Sequence, residues 1–248
     1  MMLKVRVIPT LLHKSFGLVK GVRFDSQRAV GSPMQAIKVY NLRNVDELVF
    51  LDVTATVEGR RPDLALIDEL ADECFMPLAV GGGVGSVDDV RALLGVGADK
   101  VVIGTAALRT PNVVRESADR FGSQCVVVSV DTRDGEVCTK SGRVPTGRDP
   151  VDVAVAVEEL GAGEILLQSI DDDGVMNGYD LETVARVSAA VSIPVIASGG
   201  AGTFAHMADA LRIGGASAVA AASMFHFTEQ TPMEAKHYLA DHGFAVRI

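Results

Sequence analysis

No cluster of lysine and arginine occurs anywhere in the 248 residues, and the formal net charge is −9. That argues against a nucleic-acid backbone as partner. No run of 18 apolar residues occurs either, so no membrane-spanning helix is expected. The opening "MMLKVRVIPTLL" is too short and too interrupted to read as a signal peptide. Cysteine occurs three times, as Cys74, Cys125 and Cys138, without paired spacing and without a nearby histidine. That argues against a disulfide framework and a zinc site, and fits reduced, buried thiols in a cytoplasmic protein. His206, His226, His237 and His242 also lack metal-ligand spacing, and neither a metal nor another cofactor is expected. Tryptophan is absent too, which excludes nothing.

What is present is apolar and regular. Hydrophobic residues make up 48% of the chain, enough for a large core without cross-links. Short Val/Ile/Leu-rich runs fall at 5–8, 46–53, 77–80, 100–103, 125–130, 164–170, 194–198 and 218–223. They barely alternate, as parallel strands covered on both faces do. Amphipathic stretches separate them. "SVDDVRALLGVG" offers Ser86 as N-cap, with Val87, Val90, Leu93 and Leu94 on one face. "DPVDVAVAVEELGAG" offers Asp149 as cap, Pro150 in the first turn and Gly161 as stop. "TPNVVRESADRFG" repeats that arrangement with Thr110, Pro111 and Gly122.

Eight strand–helix units predict a (β/α)₈ barrel of the α/β class, with a doubly wound open sheet as the rival. Internal repetition decides between them. Residues 77–107 align with 194–224, pairing Gly82 with Gly199, Gly83 with Gly200 and Gly85 with Gly202. In the same register "DELVFLDVT" aligns with "GEILLQSID". Two half-barrels, at about 1–122 and 123–248, would close into a single domain spanning 1–248.

In such a barrel the chemistry sits at the C-terminal strand ends. Two glycine-rich loops fall there in equivalent places, "VGGGVGS" with Gly82 and Gly83, and "SGGAGT" with Ser198, Gly199 and Gly200. Glycine lets backbone amides approach an anion, and the following helix N-terminus adds partial positive charge. Each loop is joined by the end of the next strand, Gly104 and Thr105 in one half, Ala222 and Ser223 in the other. With Asp173 and Gly174 after the sixth strand, these residues form two candidate phosphate cradles flanking one mouth. A tight turn after a parallel strand is the plainer account of any one such loop.

Asp52 and Asp131 end strands at the same mouth and are candidate acids or bases, although Asp52 would equally serve to order loops. The half-barrel counterpart of Asp131 is Leu12. At the opposite, N-terminal face, Arg6, Glu47, Lys100 and Glu164 begin strands one, two, four and six. Charges on a barrel axis are costly unless paired, so these four predict a salt-bridge ring, acting either as a structural plug or as a gate for a small molecule.

The stretches "DELVFLDVTA", "VGGGVGSVDD", "GADKVVI", "RFGSQCVVVSVD", "VEELGAGEILLQSIDDDG", "GYDLE", "IPVIASGGAG" and "MFHF" resemble the cyclase subunit of imidazole glycerol phosphate synthase, from Arg6 to the C-terminus. The resemblance implies a (β/α)₈ barrel. It implies a glutaminase subunit docked on the N-terminal face, and ammonia passing through the barrel to a bisphosphorylated ribotide at the mouth. It assigns the gate to Arg6, Glu47, Lys100 and Glu164, functional roles to Lys20, Asp52 and Asp131, and phosphate contacts to Asp173, Gly174, Gly200 and Ser223.

The departures change the expected activity. The family motif "CLD" reads "TLL" here, so Leu12 replaces an acid/base aspartate; Gly104 replaces an asparagine and Gln168 a threonine. Loss of one positioned acid or base costs about 10²–10⁴-fold in rate. "VIPTLLHK" and "ECFMPLAVGGG" resemble instead a divergent branch linked to acetamidino modification of nucleotide-activated or surface-polysaccharide sugars. There the barrel would partner a glutaminase and pass ammonia to a separate sugar amidotransferase, while holding a phosphorylated small molecule. The alternatives are a histidine-pathway cyclase that relies on Asp131 alone, and a non-catalytic scaffold or activator of the glutaminase. "KSFGLVKGVRF" is expected to form a mobile flap positioning Lys20 for an anion. "DTRDGEVCTKSGRVPTG" is expected to form a hairpin over the mouth turning at Asp134–Gly135, and His13 lies near the mouth as a candidate ligand contact.

Overall fold

The computed structural model describes residues 4–248. The first half runs β1 (Arg6–Lys14), β2 (Gly17–Val22), β3 (Asp25–Gly31), α1 (Pro33–Leu42), β4 (Leu48–Asp52), α2 (Ala55–Glu58), α3 (Leu64–Glu73), β5 (Leu78–Gly81), α4 (Val87–Gly95), β6 (Lys100–Ile103), α5 (Thr105–Arg109) and α6 (Asn112–Phe121). The second runs β7 (Val126–Arg133), β8 (Glu136–Thr139), β9 (Val144–Pro145), α7 (Pro150–Glu159), β10 (Glu164–Ser169), α8 (Leu181–Ala190), β11 (Val195–Ser198), α9 (Phe204–Arg212), β12 (Ala218–Ala221), α10 (Ser223–Phe227) and α11 (Pro232–Asp241).

Strands β1, β4, β5, β6, β7, β10, β11 and β12 pair in that order, all parallel, and β12 returns to β1. The barrel is closed, and the open-sheet alternative is ruled out. Alternate side chains along each strand point to opposite faces, which sorts β1 into two sets. Val7 and Leu11 are fully buried in the outer layer between strands and helices. Ile8 points inward, where Val49, Ala79, Val102, Val127, Leu166, Ile196, Ala218 and Ala220 pack with it along the axis. By the same alternation Arg6, Thr10 and Leu12 face the interior and His13 faces out. His13 tilts against Phe50 at 5.4 Å, and it is absent from the cavity wall. His13 is therefore not placed to contact a ligand in the cavity.

Local signals behave largely as their chemistry dictates. Ser86 and Asp89 form a reciprocal capping box on α4. Asp149 accepts from Val151 N and Pro150 opens α7. Asp134 and Gly135 both have positive φ and turn the chain from β7 into β8. Thr110 does not cap α6. Its hydroxyl donates back to the Ala106 carbonyl at 3.2 Å, and Pro111 occupies the capping position. The strand read at 5–8 extends to Lys14, and the expected flap is the antiparallel hairpin β2–β3, paired onto β1. The last run is shorter than expected: β12 stops at Ala221 and Ser223 opens α10. A buried pair, Lys236 Nζ to Asp46 Oδ1 at 3.2 Å, fastens α11 beneath the barrel, and Asp46 Oδ2 also accepts from Val7 N.

Candidate functional site

At the C-terminal strand ends lies a cavity of about 260 Å³. It gathers Lys20, Asp52, Asp131, Gly82, Gly83, Gly104, Thr105, Asp173, Gly174, Ser198, Gly199, Gly200, Ala222 and Ser223 in one wall. Strand and loop residues far apart in sequence meet there because parallel strands all end on the same face.

The two carboxylates read as acids or bases have different surroundings. Asp52 is tied down. Its Oδ1 accepts from Thr54 N and Oγ1, both at 2.9 Å, and from Ala55 N at 3.0 Å; Arg60 Nη1 reaches Oδ2 at 3.1 Å. Burial alone would raise its pKa, but hydrogen bonds from Arg60, Thr54 and Ala55 hold it below the usual carboxylate value. This geometry fits the loop-ordering reading of Asp52. Asp131 receives one side-chain hydrogen bond, from Ser129 Oγ at 2.6 Å. Burial in the cavity floor, with a smaller contribution from the Asp173 charge, pushes it up to about 6. A carboxyl poised there exchanges protons near neutral pH.

Lys20, on β2, is 2% exposed and its Nζ lies 2.6 Å from Asp173 Oδ1. The hairpin is fastened to the same loop by Arg23, whose N donates to the Asp173 carbonyl at 2.8 Å. Arg28 stacks on Phe227 at 4.1 Å. His226, in α10, is held against Thr10 and Lys20 rather than on an open surface; burial, opposed by a hydrogen bond to the Thr10 backbone, lowers its pKa. Gly82 and Gly200, at φ of 104° each, adopt backbone that side chains avoid. A Cβ would collide with the Asp52 carbonyl at the first and the Gly178 carbonyl at the second. Tight packing alone therefore accounts for these glycines, and the anion reading must rest on other groups.

Sequence reasoning passed over Thr10, Lys14, Ser129 and Arg143, which line the same cavity. Strict inward alternation from Arg6 would have found Thr10. Lys14 and Arg143 sit at a strand tip and a hairpin turn, where no periodic signal exists.

At the N-terminal end the four predicted charges close a ring. Arg6 Nη1 lies 2.6 Å from Glu47 and 3.0 Å from Glu164; Lys100 Nζ lies 2.8 Å from Glu47 and 3.0 Å from Glu164. Burial opposes the Arg6 charge, and the two carboxylates more than offset it, so its pKa is raised. On the same face Leu42 and Phe75 are 88% and 84% exposed. Their loops are joined by Asn41, which donates to the Glu73 carbonyl at 2.6 Å and accepts from Phe75 N at 3.1 Å.

Residues 6–231 match the family model described as histidine biosynthesis protein. The chain belongs to that family. Members of the histidine biosynthesis family are typically enzymes, which agrees with a cavity holding an acid near neutrality. Among the described residues no helix is long and apolar enough to cross a membrane.

Proposed function

We propose that this family member is a barrel subunit that receives ammonia from a partner glutaminase at its N-terminal face and passes it along the axis to the mouth. Its task is acetamidino modification of a nucleotide-activated or surface-polysaccharide sugar, completed by a separate sugar amidotransferase. The observation that carries this reading is the ring of Arg6, Glu47, Lys100 and Glu164 on the axis that leads to the cavity. The nine side chains above the ring are all apolar, three of them alanine. An apolar passage favours neutral ammonia and disfavours the ammonium ion, whose desolvation is costly. The exposed Leu42 and Phe75 beside the strand starts give a glutaminase an apolar footing. Leu12 in the cavity wall opposite the carboxylate position weighs against ring closure as the main activity, since leucine cannot move a proton.

Reconstitution with the cognate glutaminase tests this. Lys100→Met and Glu164→Gln should leave glutamine hydrolysis running while glutamine-dependent product falls about tenfold, one step of roughly 1.4 kcal/mol in the transfer barrier. Product formed from added ammonium chloride should be unchanged. Equal coupling in parent and variants would show that the ring is not a gate.

A second reading keeps histidine-pathway cyclase chemistry, and the poised Asp131 favours it. Complementation of a cyclase-deficient histidine auxotroph at ordinary expression would select this reading over the first.

A further inference from the structure

Two of the four ring charges, Arg6 and Glu47, stand on segments held by the last helix. The register of β1 on β4, with Thr10 opposite Val49, places Val7 opposite Asp46 and Ile8 opposite Glu47. Strand β4 begins only at Leu48, so at this level no strand carbonyl continues the pairing. The Asp46 side chain stands in for one: its Oδ2 accepts from Val7 N at 3.0 Å. Its Oδ1 is held by Lys236 Nζ from α11 at 3.2 Å, and the same Nζ donates to the Asn44 carbonyl at 2.9 Å. On the other side of Arg6, Val5 N donates to the Ala245 carbonyl at 2.7 Å, and Val5 bridges to Val246. Arg6 is therefore flanked by two bonds that lead to α11 or to the segment after it. Glu47 directly follows the aspartate that makes one of them.

The second half-barrel manages the same junction without an ion pair. Gly163 is the counterpart of Asp46, and its N donates to the Val126 carbonyl at 2.9 Å. Main chain meets main chain there, and Glu164 follows in a regular strand. Lys236, by contrast, is fully buried, and taking an ammonium out of water is costly. An apolar pair of similar volume would serve stability as well as a buried ion pair does. It would not offer an acceptor opposite Val7. Placement matters because Glu47 Oε2 takes both Arg6 and Lys100, while its Oε1 is buried with no partner among the described residues. Two hydrogen bonds to one oxygen tolerate little displacement of the backbone that carries it.

We propose that Lys236 and Asp46, with the segment at 245–246, are positioning residues of the axial ring. They set the level of Arg6 and Glu47 at which the four charges close, and without them the ring opens in a barrel that stays folded. This rests on reading the ring as a gate, and it adds the residues that hold the gate shut.

NMR of backbone amides and of the Arg6 guanidinium in the purified chain tests this without a glutaminase. In the parent, Arg6 should give slowly exchanging N–H signals, because Glu47 and Glu164 hold it. In Asp46→Leu/Lys236→Met, melting should stay close to the parent. Exchange at Val7 N should quicken about tenfold, in line with losing a hydrogen bond to a charged group, and the Arg6 signals should be lost to rapid exchange. Lys236→Met alone should melt below the parent, since Asp46 is then buried without its partner. A pair that served stability alone would keep the Arg6 signals wherever melting is restored. A chain shortened to Phe244 is measured alongside; it removes the partner of Val5 and leaves the buried pair intact. It should quicken exchange at Val5 N and broaden the Arg6 signals, and it decides the matter if the double variant does not fold. Unchanged Arg6 signals in either folded variant would overturn the proposal and leave the ammonia reading standing. Equal ammonia coupling in the parent and in Lys100→Met would sink the gate reading and leave this placement of the ring standing.

Discussion

Asp131→Asn is expected to make the protein more stable above pH 6 and to remove proton transfer at the mouth. The carboxyl is raised from an ordinary value of 3.8 to about 6, chiefly by burial. Between those two values the folded chain holds a proton that the unfolded chain has released. The native state therefore binds more protons, and stability falls as pH rises through this window. A displacement of that size corresponds to at most about 3 kcal/mol. Asparagine carries no charge and keeps an oxygen to accept from Ser129 Oγ, so the variant escapes that penalty. Denaturant melts should show almost no stability difference at pH 3, below both values, and a gain of about 1–3 kcal/mol at pH 8. Activity should move the other way, down about 10²–10⁴-fold for any step in which Asp131 carries the proton. A variant no more stable than the parent at pH 8 would mean that the carboxylate already has a partner in solution. Retained activity would mean that the chemistry lies on another subunit, as a pure ammonia conduit requires.

How much of this arrangement was legible in the sequence depended on periodicity. All eight barrel strands could be read because parallel strands are apolar on both faces, and the run at 100–103 coincides with β6. Closure of the barrel was legible through the glycine repeat. The salt-bridge ring followed from charge at strand starts, since four charges on one axis are stable only if they pair. The hydrogen-bond state of the two cradles was not legible. Asp89 and His206 occupy equivalent positions, yet nothing in a one-dimensional alignment says that Asp89 turns back onto Gly85 and Ser86. The β2–β3 hairpin escaped because its strands are short and glycine-punctuated, and Lys20 is buried there by an ion pair with Asp173 that spans most of the chain. Thr110 misled because a Thr-Pro pair before a helix has the composition of a cap, whereas the hydroxyl found a carbonyl in the preceding turn.

The second large effect concerns the lost carboxylate. Leu12 pairs with Leu51 across β1 and β4, and Asp131 pairs with Gln168 across β7 and β10. These are equivalent places in the two half-barrels. Two residues before each lies a hydroxyl. Ser129 donates to Asp131, whereas Thr10 has no partner, because leucine offers it no oxygen. The unpaired Thr10 is therefore the structural trace of what position 12 lacks. Leu12→Asp should be tolerated at a cost of about 1 kcal/mol, because Leu12 is only partly buried and the new carboxylate gains the Thr10 hydroxyl. Ring closure of a bisphosphorylated ribotide, with ammonium supplied directly, should then rise about 10²–10⁴-fold in kcat. The KM should not improve, since the substitution adds a proton carrier and no new group that grips either end of the substrate. A rise in kcat at constant KM would identify the missing proton carrier as the deficit. An intact variant without any rise in kcat would place the barrier to cyclisation elsewhere, most directly at Gly104 and Gln168. The missing carboxylate would then be a consequence of the altered activity, not its cause.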